Sequence, residues 1–280
     1  MSVQKNDPLN SLLKNFSLRS GIFFAGNLCG VHDFPSGQGH GHLHLIKSGM
    51  VRISTERAAD VQLDVKTPTL LLLSQPQRHR ITTDEQEGAE VICGTVQFGE
   101  VGVNPVSLSL PPLVIAELKS IPGAENCMQM LLAEALSEAK GQQAIMDRLC
   151  EVLTIHVLRY CIDTGLAKGG ALAGLADRRL SKALQVIHQD PSGPLNLDSM
   201  AEIAGMSRAR FAANFKEVIG ETPAEYLTLW RLSLCQKLLM KNVPIKQIAS
   251  EVGYRSASAL TRAFVRQFGS SPSEWQKNRG

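Results

Sequence analysis

Apolar residues change their spacing twice along the chain. Up to about Leu110 they come in short apolar or alternating runs, at 21–28, 42–46, 50–54, 70–74 and 90–98, cut by Gly, Pro, Asp and Ser. Such runs predict several short strands in a barrel or sandwich. From about Pro112 to Thr164 the period becomes helical. One helix is expected over 128–136. A second, over 144–161, sets Ile145, Leu149, Val152, Leu153, His156 and Tyr160 mostly on one stripe. The segment GLAKGGALAG then holds four glycines in ten residues. It predicts a flexible linker at 166–176, dividing a region 1–165 from a region 177–280.

The last region reads as helix throughout, and its punctuation is regular. Leu180, Leu184 and Ile187 mark a helix that ends before Pro191. Asp198 is expected to cap a short helix over 199–204, Gly205 breaks it, and Ser207 caps the next, which Gly220 ends. Thr222 before Pro223 opens a long helix to about Lys241. The pattern repeats: a short helix after Pro244, a break at Gly253, a helix over 256–268 ended by Gly269, and a last short helix from Pro272. Each half holds a helix-turn-helix unit. Small Ala201 and Ala249 let helices cross closely, Gly205 and Gly253 accept the left-handed turn, and Phe211/Phe215 and Leu260/Phe264 pin the second helix to the core. The opposite face of that helix is then free to enter a DNA major groove.

At 100° per residue, Phe211, Phe215 and Val218 point inward. Ala209, Ala212, Ala213 and Lys216 point out, a methyl-rich surface suited to thymine methyls. Arg208 and Arg210 flank it, placed for phosphates. In the second unit Ser258, Thr261 and Arg262 point out, with Arg255 and Arg266 at the margins. Arg262 is the candidate for a guanine contact.

Composition agrees. The chain of 280 residues is long enough for two domains. Its net charge is only +3, but residues 177–280 hold 15 Lys and Arg against 9 Asp and Glu, while residues 1–176 hold 14 against 17. The positive surplus lies on the helical region, as a polyanion partner requires. The longest apolar run, at 70–73, is far below the ~20 residues that span a bilayer. The N-terminal MSVQKNDPLN shows no leader pattern. A cytoplasmic location with no membrane partner is expected. The six cysteines form no CxxC pair and are expected as free thiols.

Residues 178–275, and above all PIKQIASEVGYRSASALTRAFVRQFGSSPSEW, resemble the DNA-binding region of the AraC/XylS family of bacterial transcription regulators. The resemblance implies two recognition helices in successive major grooves of promoter DNA, and RNA polymerase as a partner. Residues 7–165 are similar to the cupin-type sensor of one branch of that family, which includes regulators of the response to reactive chlorine. HLHLIKSGMVRI, PTLLLLSQPQRHRI, VICGTVQF and LPPL carry that likeness. The expected fold is thus multidomain α+β: an N-terminal cupin-like β-barrel with a helical dimerisation segment, then an all-α domain with two helix-turn-helix units. The resemblance implies an activator and a homodimer formed through residues 126–163. The alternatives are a regulator switched by a small ligand or metal in the cupin cavity, and a cupin-type metalloenzyme, against which the incomplete ligand set and the fused DNA-binding region argue.

Two chemistries compete in the sensor. His42 and His44 share a strand face, and with His79 they compose a possible three-histidine site for Zn or Cu. The carboxylate that completes a cupin metal site is missing from IKSG, so the alternative is a hydrogen-bonded histidine cluster with no cofactor. Cys29 and Cys93 match, by the resemblance, the cysteines of the chlorine-responsive type, which makes them candidates for an oxidised pair. An imidazolium at His44 or His79 would activate Cys93. The alternative is that both cysteines are small buried hydrophobes. Cys127, Cys150, Cys161 and Cys235 read as packing residues.

Overall fold

The protein is described by a computed structural model covering residues 7–36, 39–57, 60–99 and 105–278. Most of the stretch read above for a leader lies outside the described residues. In chain order the elements are α1 (Pro8–Asn15), β1 (Leu18–Leu28), β2 (Val31–Phe34), β3 (Gly41–Thr55), β4 (Val61–Val65), β5 (Thr69–Leu73), β6 (His79–Thr83), β7 (Ala89–Phe98), α2 (Pro105–Ser109), β8 (Val114–Glu117), α3 (Ala124–Ala135), α4 (Gln142–Asp163), α5 (Gly170–Ala176), α6 (Leu180–Gln189), α7 (Leu197–Ile203), α8 (Arg208–Ile219), α9 (Pro223–Met240), α10 (Ile245–Glu251), α11 (Ala257–Phe268) and α12 (Pro272–Lys277). They divide into two units. One comprises Leu18–Phe98 and Val106–Lys168; the other joins the N-terminal segment through Ser17 to the chain from Gly169 onward.

The first unit is an antiparallel barrel organised by β3, which is long enough to serve two sets of neighbours. Its first half pairs with β5 and β7, its second half with β4 and β6. The strand changes partners at a register shift between Ile46 and Ser48, followed by Gly49 at φ +113, where a side chain would be strained. Gly41 is required for a different reason: a Cβ there would collide with the Leu73 carbonyl oxygen. The expected runs at 42–46 and 50–54 are therefore one bent strand. The barrel interior is filled by Ile46, Val51, Ile53, Leu71, Leu73, Ile81, Val91 and Cys93. Leu45 and Ile92 face outward, where α3 and α4 cover the sheet.

In the helical unit the caps follow the sequence closely. Thr222 with Pro223 and Glu225 forms a capping box, and Gly220 and Gly269 end α8 and α11 in the left-handed conformation. The cap of α7 is Asn196, not Asp198; its side chain accepts from the Ser199 amide while the Ser199 hydroxyl oxygen accepts from the Asn196 amide. Val218 is half-buried, and Ile219 takes the inward position instead.

Two expectations about organisation are corrected. Residues 166–176 are not a flexible linker: 170–176 form α5, with Ala171 and Leu172 fully buried. Gly174 is small because a Cβ would lie 2.5 Å from Leu184 Cδ1. Glycine here permits close helix packing, a use that composition cannot separate from flexibility. The boundary at residue 1 is also displaced, because α1 belongs to the helical unit. Leu12 is fully buried, Phe16 meets the Trp230 ring edge-on at 5.0 Å, and Asn15 donates to the His188 carbonyl at 3.0 Å. Lys237 Nζ donates to the Lys14 and Asn15 carbonyls that end α1, where a cation suits the helix dipole.

Candidate nucleic-acid interface and sensor cluster

Two helices, α8 and α11, stand out as a pair. In α8 the Phe211 and Phe215 rings are fully buried, while Arg208, Ala209, Arg210, Ala213 and Lys216 are exposed and Ala212 is partly so. In α11 Leu260 and Phe264 are fully buried, while Arg255, Ser258, Arg262 and Arg266 are exposed and Thr261 is half-buried. Each helix therefore presents the outward face that its period predicts. Arg208 is partly engaged, its Nη1 lying 3.3 Å from Asp198 Oδ2.

The structure adds residues that sequence reasoning missed. Arg178 and Arg179 share an open cleft of about 510 Å³ with Arg210 beside α8. Lys246, Gln247 and Ser250 of α10 line a second open cleft, of about 820 Å³, with Arg255 and Ser258. Their only sequence signal was placement just before a helix or in its first turns. Arg231 was missed as well. Its Nε donates to the Pro191 carbonyl at 2.8 Å, and its guanidinium lies 5.9 Å from the centre of the Tyr254 ring. A Cβ on Gly253 would touch Ser192 Cα and the Pro191 oxygen. The turn of the second unit is thus seated on the loop after α6.

In the barrel, His42, His44 and His79 do converge. His44 Nε2 and His79 Nε2 are 2.9 Å apart, and Phe34 stacks on His79 at 4.7 Å with the rings 5° from parallel. His42 lies 4.8 Å from His79 between ring centres. His79 Nδ1 faces the Gln77 carbonyl at 3.4 Å, so that nitrogen carries the proton and Nε2 accepts from His44. Burial holds the pKa values of His42 and His79 down to about 4, and that of His44 well below its ordinary value. The three rings are neutral. Among the described residues no group of three His, Cys, Asp or Glu is placed to hold a metal. The described residues thus form no three-histidine Zn or Cu set; His44 Nε2 and His79 Nε2 bond to each other, as in the hydrogen-bonded alternative.

The cysteine pair is not brought together either. Phe24 pairs with Cys93 and Leu28 with Ala89, so Cys29, the residue after Leu28, stands level with Gly88. That is five residues along β7 from Cys93, about 16 Å at strand rise. A disulfide needs Cα atoms roughly 4.4–6.8 Å apart. Cys29 is exposed; Cys93 is buried, and burial pushes its thiol up to about 12. His44 does lie opposite Cys93 on β3, but a neutral imidazole does not stabilise a thiolate, so the expected activation is absent. Cys127, Cys150, Cys161 and Cys235 are buried, as expected of packing residues.

Comparison with known proteins settles the lineage. The Cupin family profile matches residues 7–163, and the Helix-turn-helix domain profile matches residues 200–278. A putative AraC-like transcription regulator of Streptomyces lividans is 35% identical over 67% of this chain and 63% of its own length. An uncharacterised HTH-type transcriptional regulator of Haemophilus influenzae is 28% identical over 86% of this chain and 87% of its own. The chain belongs to the AraC/XylS family, with a cupin N-terminal unit. Another relative is the RCS-specific HTH-type transcriptional activator RclR of Escherichia coli, 29% identical over 74% of this chain and 75% of RclR. The chain spans less than two thirds of the Streptomyces relative it matches. No helix among the described residues is long and apolar enough to cross a membrane.

Proposed function

We propose that this AraC/XylS-family chain is a sequence-specific DNA-binding transcription regulator, an activator that engages promoter DNA and RNA polymerase. The observation that carries the reading is the repeated pair α7–α8 and α10–α11, each with a buried aromatic or leucine stripe and an outward face. The faces are unequal. Arg262 and Ser258 on α11 offer hydrogen bonds to bases, while Ala209, Ala212 and Ala213 on α8 offer methyl contacts. Arg178, Arg179, Arg210, Lys246 and Arg255 neutralise phosphates, which gives affinity that falls steeply with salt. A cytoplasmic site of action follows from that role. The relatives named as transcription regulators support a non-enzyme role.

The test is gel-shift titration of the full chain on fragments of its neighbouring promoters at several salt concentrations. Arg262→Ala is expected to lose about 1–3 kcal/mol of discrimination between operator variants. Unchanged discrimination would remove the base contact, and no specific binding to any fragment would remove the reading.

The finer part of the proposal is the input. The likeness to RclR and the exposure of Cys29 support an oxidant as the signal. Hypochlorous acid takes two electrons from the Cys29 sulfur, giving sulfenic acid and chloride; attack by a second thiol forms the disulfide and releases water. Cys93 serves as that thiol only after β7 opens, so pairing would itself drive a conformational change. Full induction by hypochlorous acid in Cys29→Ser cells would end this part. A homodimer through α4 is proposed from its outward Ile145, Leu149 and Val152, and a monomer in light scattering would refute it.

A further inference from the structure

The interior of the barrel is packed with aliphatic side chains, but its outer face carries a slot. Ala25 and Leu45 both pair with Ile92, so the three side chains share the outward face of β1, β3 and β7. From α3, Met128, Leu132 and Ala135 roof that face, and Leu136 stands exposed at the mouth. The cavity volume of the slot is about 180 Å³, comparable to an apolar cavity of about 150 Å³ that takes up benzene. It exists because small residues face one another: Ala25 and Gly26 on the strand, Ala135 on the helix.

The chemistry of the lining selects the occupant. Its two charged residues, Lys47 and Glu90, bind each other, Nζ to Oε1 at 2.8 Å, and the pair is half exposed. Among the described residues, the buried side-chain nitrogens and oxygens that lack a partner belong to His42, His44, Gln77, His188, Trp230 and Gln236, and none of them lines the slot. A ligand's polar group entering there would lose its water and gain no partner, which costs several kcal/mol on apolar scales. A carboxylate or ammonium would also have to break the Lys47–Glu90 pair. Met128 adapts its shape to different carbon skeletons.

We propose that this slot is a binding site for a neutral, apolar small molecule, a hydrocarbon-like aromatic or short aliphatic compound. The site is distinct from the histidine cluster and from Cys29. It gives the sensor unit an input that needs neither metal nor thiol chemistry, and its occupancy bears on α3, which packs against α4.

The experiment uses the purified full chain without DNA, so its failure leaves the DNA-binding reading intact. N-phenyl-1-naphthylamine, a neutral apolar fluorophore, is titrated into the protein. Saturable binding is expected, displaced by toluene and 1-octanol but not by octanoate or octylammonium at equal concentration. Ala25→Phe, at an exposed strand position, and Ala135→Phe each fill the slot and should weaken binding by about tenfold or more. Either variant decides the matter provided its far-UV spectrum and unfolding midpoint match the parent. The joint variant Lys47→Met with Glu90→Gln should change probe affinity by less than about threefold, since an exposed pair contributes little. Equal binding in parent and filled variants would overturn the proposal. So would octanoate displacing the probe better than octanol, which would make the ligand an anion held by Lys47. Absence of probe binding together with loss of dimer mass in Ala25→Phe would overturn it too, by making the slot an interface between copies.

Discussion

The two helix-turn-helix units share one plan and differ in what they offer outward. Behind each recognition helix the cores are equivalent: Phe211 and Phe215 in one, Leu260 and Phe264 in the other, all fully buried. In front, α8 is rich in alanine and is approached by Asp198, which draws Arg208 aside, while α11 carries Arg262, Ser258 and Thr261 with no acidic residue among its outward positions. The first unit also leans on parts that the second lacks. It borrows α1 from the far end of the chain, and a stack of His188 on Trp230 with ring centres 3.9 Å apart. A packing solution can thus be copied while the chemistry it displays diverges, because the two faces of an amphipathic helix answer to different constraints.

The sharpest test of equal cores is truncation. Phe211→Ala and Phe264→Ala are each expected to destabilise the helical unit by about 3–5 kcal/mol, measured by urea unfolding of the full chain. A difference of several kcal/mol between them would break the equivalence. Leu12→Ala should cost about 2–5 kcal/mol in the same assay despite lying nearly two hundred residues from the first unit. A silent Leu12→Ala would show that α1 is not part of that unit.

Acid should also separate the units. Burial lowers the His188 pKa to about 3, below the ordinary histidine value of roughly 6.5. The group is neutral when folded, so its contribution is complete above pH ~6.5 and is lost as pH falls toward about 3. Exchange protection of amides in α6 and α9 is expected to fall with acid before that in α11, and His188→Gln should flatten the difference. Among surface changes, Arg262→Ala is expected to alter base preference, while Arg210→Ala lowers affinity about equally on all sequences and reduces the salt slope by about one. Reversal of that order would exchange the roles of the two helices. The smallest effect is expected from Asp198→Asn. Releasing Arg208 from an exposed pair changes stability by less than about 1 kcal/mol, yet should tighten DNA binding modestly in a titration at low salt.

Much of this organisation was legible because it is local. Helix starts and stops depend on residues within one turn of each other, and so Thr222, Gly220 and Gly269 were read correctly. The neighbouring error, Asp198 for Asn196, arose where two capping residues stand two positions apart. The outward faces of α8 and α11 were legible for the same reason, since period alone assigns them. The strands β2, β4, β6 and β8 were missed because they are short and partly polar, and owe their place to pairing partners.

What the sequence by itself determined is the pair of repeated units, the helical stretches over 128–136 and 144–161 and the β character of the first hundred residues. All three rest on periodicity and turn chemistry that act over a few residues. Only the tertiary structure decided that the glycine-rich stretch is a close-packed helix, that α1 serves the helical unit, that His44 and His79 bind each other, and that Cys29 stands far from Cys93. Each of these depends on which distant segment lies alongside, and strand register and helix docking are settled by the joint burial of surfaces that no local pattern brings together.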